Sequence, residues 1–341
     1  MAFAKPSIKR RLVRYVPSIT IMVAYSCIPL LGIRGFWLDV LTRANIFALL
    51  TLSLDLYSGT TFYLNLGISF IAGSSAYVVA LLYRYLGMVP EYSIIPAIAV
   101  AIALSTVIFL PSIRVRGVYF SVLSLLLPLI MVSLITSQPL SLYLGGEGGI
   151  PLPSLFSSYA RMLPPRERIP FLQLTWFYLT TALTIVAAVL SYKLAYSNFG
   201  FMLRAIGQDE ELAEASGIDT TRVKLLGFLV SSTLAATAGA LYAAIRPPVT
   251  VDVLIPANTL VPPLTAVILG GMGTIIGPLA TNYITIVAYE LLWDAIGRWR
   301  TIAYMLLLIV LVILKPQGVV FHIYLKLRKA IATKLSSVTW R

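Results

Sequence analysis

The chain has 341 residues, of which 59% are hydrophobic and only 11% charged. A soluble globular chain carries about a quarter charged residues, so a water-soluble fold is excluded, and apolar runs of about 20 residues recur that can cross a hydrocarbon core. The formal net charge of +13 gathers beside those runs, which argues against nucleic-acid binding and marks basic membrane flanks instead.

Taken in chain order, residues 1–14 hold Lys5, Lys9, Arg10, Arg11 and Arg14 and no acid. The apolar run 15–33 is too long for a signal-peptide core and has no convincing cleavage site, so it reads as a retained span. Cys27 within it reads as a small buried hydrophobe. Further candidate segments follow at 42–57, 62–83, 92–110, 118–136, 171–192, 224–245, 258–273, 275–292 and 300–315. The expected class is therefore all-α: a polytopic helical membrane protein of about ten segments, with residues 1–341 forming a single transmembrane domain. A membrane barrel would show short alternating strands. Prolines 17, 29, 96, 128, 262 and 263 predict irregular spans, because each removes a backbone donor. The segment 258–273 is short and contains Pro262-Pro263, so it either spans or re-enters.

Placing the basic amino terminus inside puts 1–14, 58–61, 111–117, 193–223, a turn near Thr274 and 316–341 on the inner side. With Lys224 and Lys315 at their edges, these stretches hold 17 of the 26 Lys and Arg, as the positive-inside rule requires. Both termini are then expected in the cytoplasm, and the basic 316–341 tail also suits anionic headgroups. Asp55 and Glu290 fall near predicted segment ends, where interfacial or paired positions are expected.

In the third segment, Asn65, Ser69, Ala72 or Gly73, and Ala76 recur at helical spacing as a small, weakly polar stripe. Such a stripe either packs helices closely or lines a solute pathway, with Ser74 beside it as a further pathway candidate. The loop 137–170 contains a glycine cluster (Gly145, Gly146, Gly148, Gly149) and five prolines from Pro151 to Pro170. It is either a flexible connector or a segment ordered against a partner.

The stretch 193–223 is the most informative. Five of the thirteen acids, Asp209, Glu210, Glu211, Glu214 and Asp219, fall within eleven positions. Asp209 can cap a helix starting at Glu210. Glu210 and Glu211 suit the positive end of its dipole, and Gly217 can close it in the left-handed conformation. A two-turn helix is marginal alone in water, so it must lean on the membrane domain or on a partner. A plain connector between spans is the alternative.

Gly270, Gly271 and Gly273 do not form a dinucleotide fingerprint: the glycine that GxGxxG requires falls on Ile276, and no soluble βαβ unit surrounds it. A broken or tightly packed helix near the pathway is the better reading. No GxxxxGK[ST] sequence occurs, so the chain is not expected to bind ATP or any other cofactor. One cysteine and one histidine, His322, exclude an internal disulfide and a zinc site of several Cys or His ligands.

Several blocks carry a family resemblance. Residues 199–218, FGFMLRAIGQDEELAEASGI, resemble the cytoplasmic loop of the branched-chain amino acid permease family (Liv-type) of ABC importers, and Glu214-Ala215-Ser216-Gly217 is similar to the "EAA…G" signature of such permeases. Residues 110–119 resemble the family's "LRGxY" block, 145–151 its "TGGxxGI" loop, 267–278 its "VLGGxGxxxGP" segment, and Lys315-Pro316-Gln317-Gly318 its "RPxG" ending. The first two of these point to the M-type rather than the H-type subunit. The chain departs from the family at Asn65, where serine is usual, at Ile68, where histidine is usual, and at Leu144, the "TGG" threonine. These departures leave the architecture intact and bear on cargo identity.

The resemblance implies a non-enzymatic permease subunit of a cytoplasmic membrane. Its implied partners are an H-type permease, two cytosolic ATPases that hydrolyse ATP, and an extracytoplasmic solute-binding protein. The implied cargo is leucine, isoleucine or valine, or a related small amide such as urea. Arg204, Asp209, Glu210, Glu211, Glu214 and Gly217 become the expected ATPase-coupling residues. Asn65, Ser69, Ser74, Gly270, Gly271 and Gly273 become the pathway candidates. An ion-coupled secondary transporter using Asp55 or Glu290 is the competing reading.

Overall fold

The computed structural model describes residues 35–113 and 117–299, together with positions 25, 29, 302, 306 and 310. The segments expected at 15–33 and 300–315 lie outside the described residues apart from those single positions. So do both basic ends, Cys27, His322, and the Arg114 and Arg116 of the 110–119 block.

Thirteen α-helices order the described residues. The chain runs through α1 (Phe36–Thr61), α2 (Ile68–Leu86), α3 (Pro90–Ile113), α4 (Val118–Thr136), the short α5 (Leu140–Leu144) and α6 (Ser157–Ala160), and the long α7 (Pro165–Ala195). It continues through α8 (Asn198–Gln208), α9 (Glu210–Ala215), α10 (Thr220–Ile245), α11 (Pro256–Thr259), α12 (Val261–Gly270) and α13 (Ile276–Ile296). Six of these, α1, α2, residues 90–110 of α3, α4, α7 and α10, are long and apolar enough to cross a membrane. The all-α membrane class read from the sequence is what the fold has.

The cross-chain contacts sort into two ends of the bundle. Asp39 pairs with Arg246 and Arg43 with Glu290. Ile150 forms an antiparallel bridge with Val249, and the Phe156 amide donates to Glu91 at 2.7 Å. These define an upper end. The lower end holds the α1–α2 turn, the 196–219 stretch and the 271–275 turn.

α1 is the central helix, packing against α7, α10, α12 and α13, and every residue from Ala44 to Thr61 except Phe47 is buried. Its polar groups find partners within the bundle, as they must where no water can serve them. The Asn45 amide nitrogen donates to Thr180 at 3.1 Å and Thr181 at 2.9 Å, and its oxygen accepts from Tyr25 at 2.9 Å and Tyr283 at 2.8 Å. Ser53 and Ser231 each donate to the other's carbonyl, at 2.7 and 2.8 Å, stitching α1 to α10. Tyr57, Phe109, Phe120 and Phe228 stack beside them, with the Phe109 and Phe228 rings 4.9 Å apart. α3 and α4 bury little of themselves and present Ile95, Val107, Val122 and Ile130 outward.

α1 is longer than the run 42–57. Asp39 and Arg43 interrupt its hydropathy, yet both are paired, and the helix also takes in the stretch read as a turn at 58–61. α12 has ten residues, about 15 Å of rise, half of a hydrocarbon core of about 30 Å. The chain before it supplies the rest of the descent: Leu254 is fully buried, seated where a side chain on Gly73 would stand. The loop 137–164 is ordered on its own chain, through the Ile150–Val249 bridge and the Trp176 indole, which donates to the Leu155 carbonyl at 2.9 Å. Gly149, with φ +73 and ψ −173, occupies backbone space that is essentially closed to other residues.

Candidate functional site

At the lower end, local rules build a rigid polar corner. Ser197 caps α8, accepting from the Gly200 amide at 3.4 Å. The chain turns extended at Asp209, whose carboxylate accepts from the Leu212 amide at 3.0 Å and opens α9. Gly217, at φ +87, closes it: the Gly217 amide donates to the Glu214 carbonyl at 2.9 Å and the Ile218 amide to the Ala213 carbonyl at 3.1 Å, the wrapped ending that left-handed glycine allows. Asp219 then caps α10, accepting from the Arg222 amide at 3.0 Å. Leu203, Ile206, Ala213 and Val223 make a small core under this corner.

The acids divide by direction. Glu210 turns inward: Lys224 Nζ donates to it at 2.6 Å and the Tyr63 hydroxyl donates as well. Lys224 is 3% exposed and the Glu210 side chain 10%. The pair joins α9 to the base of α10 and to the α1–α2 turn. Glu214 accepts from the Thr220 hydroxyl at 2.7 Å, fixing the far end of α9 to α10. Glu211, Leu212, Ala215, Ser216 and Gly217 face outward, and Leu212 is 65% exposed. Arg204 lies on α8, its guanidinium over the Tyr196 ring at 5.1 Å and the Phe201 ring at 5.7 Å. α9 therefore presents a short acidic face with one apolar knob, held from behind by a buried ion pair. Lys224 and Tyr63 had been read as an inner-edge charge and part of a span. Their partnership with Glu210 spans 14 and 147 positions, so no periodic pattern announces it.

A second cluster lies nearby. Asp55, fully buried in α1, accepts from the Gly273 amide at 2.6 Å and the Ile275 amide at 2.8 Å. It thereby caps the turn between α12 and α13. Gly273 (φ +75) and Gly59 approach so closely that a side chain on either would strike the other's backbone. Gly270 meets Gly277 and Pro278 in the same way. Gly270, Gly271 and Gly273 thus form a tight helix reversal fastened to α1.

Asn65 sits in the α1–α2 turn. Its side-chain oxygen accepts from the Gly67 amide at 3.1 Å, and its own amide donates to Ser58 at 2.9 Å. Ser69 and Ser74 are buried in α2, and their hydroxyls have no hydrogen-bond partner among the described residues. None of these six pathway candidates lines the cavity of about 360 Å³ that opens between α1, α2, α10 and residues 252–259 near the upper end. Glu290, 6% exposed, pairs with Arg43, so Asp55 and Glu290 both have fixed partners. No group of three or more metal-ligating side chains occurs among the described residues.

An all-α bundle with six helices of membrane-crossing length and a capped charged corner at one end defines a multi-pass membrane protein. The family model described as branched-chain amino acid transport system / permease component matches residues 36–314, and the chain belongs to that family. It is 26% identical over 313 residues to the high-affinity branched-chain amino acid transport system permease protein LivM of Salmonella typhimurium, covering 85% of this chain and 71% of the relative. LivM of Escherichia coli strain K12 matches with the same identity and coverage. The LivH permease of Salmonella typhimurium is 26% identical over 210 residues, covering 55% of this chain and 63% of the relative. Among solved structures, an inward-facing metal-chelate-type ABC transporter aligns with a TM-score of 0.46 at 15% identity, covering 85% of this chain and 90% of that one. PsaBC from Streptococcus pneumoniae in complex with a Fab aligns at 0.42 and 15%, covering 88% and 98%.

Proposed function

We propose that this chain is the M-type half of an ABC importer, carrying branched-chain amino acids across the cytoplasmic membrane. Its partners are an H-type permease, two cytosolic ATPases and an extracytoplasmic solute-binding protein. The observation that carries this reading is the corner at α9, a six-residue helix with both ends capped and its outward face exposed. It is tied through Glu210, Lys224 and Tyr63 to three membrane helices.

A partner gripping Leu212 and Glu211 moves α9. The buried pair passes that movement to α10 and to the α1–α2 turn. Access alternates because the ATPase binds the two states of the bundle with different affinity, which alone can shift their populations. The lower end is cytoplasmic in this reading and the upper end receives the solute. The basic stretches 1–14 and 316–341 support the same orientation through the positive-inside rule. Asp55 and Glu290 serve structure, since each is held by fixed partners.

Reconstitution tests the proposal. The chain, assembled with its ATPases, its second permease and the binding protein in proteoliposomes, should take up leucine only with ATP. Uptake driven by an ion gradient with no ATPase present would overturn it.

A further inference from the structure

We infer that the upper-end cavity is a transient solute site specific for an ammonium-bearing amino acid, with Asp252 as the ammonium ligand. This rests on the importer reading and adds to it a place and a residue for the cargo's ammonium group, which neutral amides such as urea lack.

The cavity, about 360 Å³, falls in the range of small-molecule sites, about 300–1,000 Å³. Its walls divide by chemistry. Phe47 and Leu50 of α1, with Val253, offer an apolar side, while Asp252, Asn258 and Tyr242 offer a polar one. Its floor is the α2–α10 crossing, where Gly239 presses on the Ala72 carbonyl so closely that no side chain could stand between them.

Asp252 is the acid in the cavity wall. At this end Asp39 is paired with Arg246, and Glu290 with Arg43. Asp252 makes no ion pair among the described residues, and its one hydrogen bond is from the Thr250 hydroxyl to Oδ2 at 2.9 Å. Asp252 and Asn258 both line the cavity and are exposed, at its rim. Asn258 gives its amide only a long contact, 3.5 Å, to the Asp252 carbonyl.

A single carboxylate is too little for a divalent cation, which takes six or more oxygens in the case of calcium. It suits one ammonium group. An α-amino acid places its ammonium at Asp252 and its carboxylate at the Asn258 amide and Tyr242 hydroxyl. Its aliphatic side chain then rests against Phe47 and Leu50. The Thr259 hydroxyl is already committed to the Val253 carbonyl at 2.8 Å, so it shapes the site without adding a donor.

The test measures binding of leucine, 4-methylpentanoate (which lacks the ammonium) and urea to the full-length chain in lipid nanodiscs. Wild type should bind leucine saturably and the other two negligibly. Asp252→Asn should weaken leucine about 10- to 100-fold, the worth of a charge-assisted hydrogen bond, while Asp252→Glu retains most of it. Unaltered melting temperatures of both variants would show that the bundle is intact. Equal binding of leucine by wild type and Asp252→Asn, equal binding of leucine and 4-methylpentanoate, or no saturable binding by wild type would each overturn the inference. ATP-driven leucine uptake by the full Asp252→Asn complex at the wild-type KM would do the same and leave the importer reading standing. Failure of ATP-driven uptake in wild type would sink the importer reading itself.

Discussion

Lys224 Nζ stands 2.6 Å from a carboxylate oxygen of Glu210, and this buried contact fastens the exposed corner of α9 to the membrane helix α10. Tyr63 donates to the same carboxylate from the α1–α2 turn, and the Lys224 ammonium lies 5.3 Å from the Tyr63 ring centroid. Two helices and the α1–α2 turn thus meet on one acid, which the sequence places in the first turn of α9.

Lys224→Met should be severe because it leaves the Glu210 carboxylate buried without its cation, a loss of about 3–5 kcal/mol. Thermal unfolding in detergent should show a lowered midpoint, and trypsin should cut faster at Arg204 and Arg222. The double variant Glu210→Gln with Lys224→Met should recover much of the stability, since neutral partners of similar size can replace a buried ion pair at little cost. A double variant no more stable than Lys224→Met would show that the pair is not the fastening.

At Gly217 the backbone has φ +87, with open space where a side chain would stand. Gly217→Ala should therefore cost only the left-handed strain, about 1–2 kcal/mol, and leave ATPase co-purification nearly intact. Gly217→Arg should abolish co-purification while the bundle still folds, by adding bulk and charge to the docking face. Unchanged recovery of the ATPases with Gly217→Arg would remove this helix end from the contact.

Leu212 tests the same surface from another side. It is exposed and packs on little of its own chain, so Leu212→Asp should change the unfolding free energy by no more than about 0.5 kcal/mol, as surface substitutions usually do. ATP-driven uptake should nevertheless fall at least tenfold, a change corresponding to about 1.4 kcal/mol. Normal uptake by this variant would mean that the partner does not use the apolar knob.

Gly59→Ala should be poorly tolerated although it adds one methyl group. That methyl would strike the Gly273 backbone and the Asp55 carboxylate, and overpacking of this kind costs about 1–3 kcal/mol or more. Asp55→Asn should cost about 1–3 kcal/mol, because one of the two turn amides then meets an amide NH2 instead of an acceptor. Expression level and melting temperature of both variants would check this, with Ser74→Ala as a buried control whose hydroxyl has no partner among the described residues.

Where local chemistry decides, the sequence was easy to read. α4 occupies the 118–136 run residue for residue, because its lone interruption, Pro128, adds no charge. α9 begins at the residue that Asp209 can cap and ends at the glycine that can turn left-handed. Where distant partners decide, the reading fell short. α1 extends past its apolar run at both ends. Its charged and amide groups, Asp39, Arg43 and Asn45, are satisfied by α10, α13 and α7, which hydropathy cannot see. Asn65, read as part of a stripe within a span, forms the turn before α2. Asp252, Tyr242 and Asn258 drew no attention, since isolated polar residues near a loop have no period. Only the approach of α1, α2 and α10 makes them one surface.

α10 runs unbroken for 26 residues, about 39 Å, from the Lys224 fastening to the Arg246–Asp39 pair. No proline interrupts it, so a rocking of its foot by about 5° would sweep its head through roughly 3 Å for a rod of that length. The strand bridge at Val249 would carry the glycine-rich loop along with it. An event at one membrane surface would thereby be felt at the opposite rim as displacement of the very residues that frame the solute's doorway.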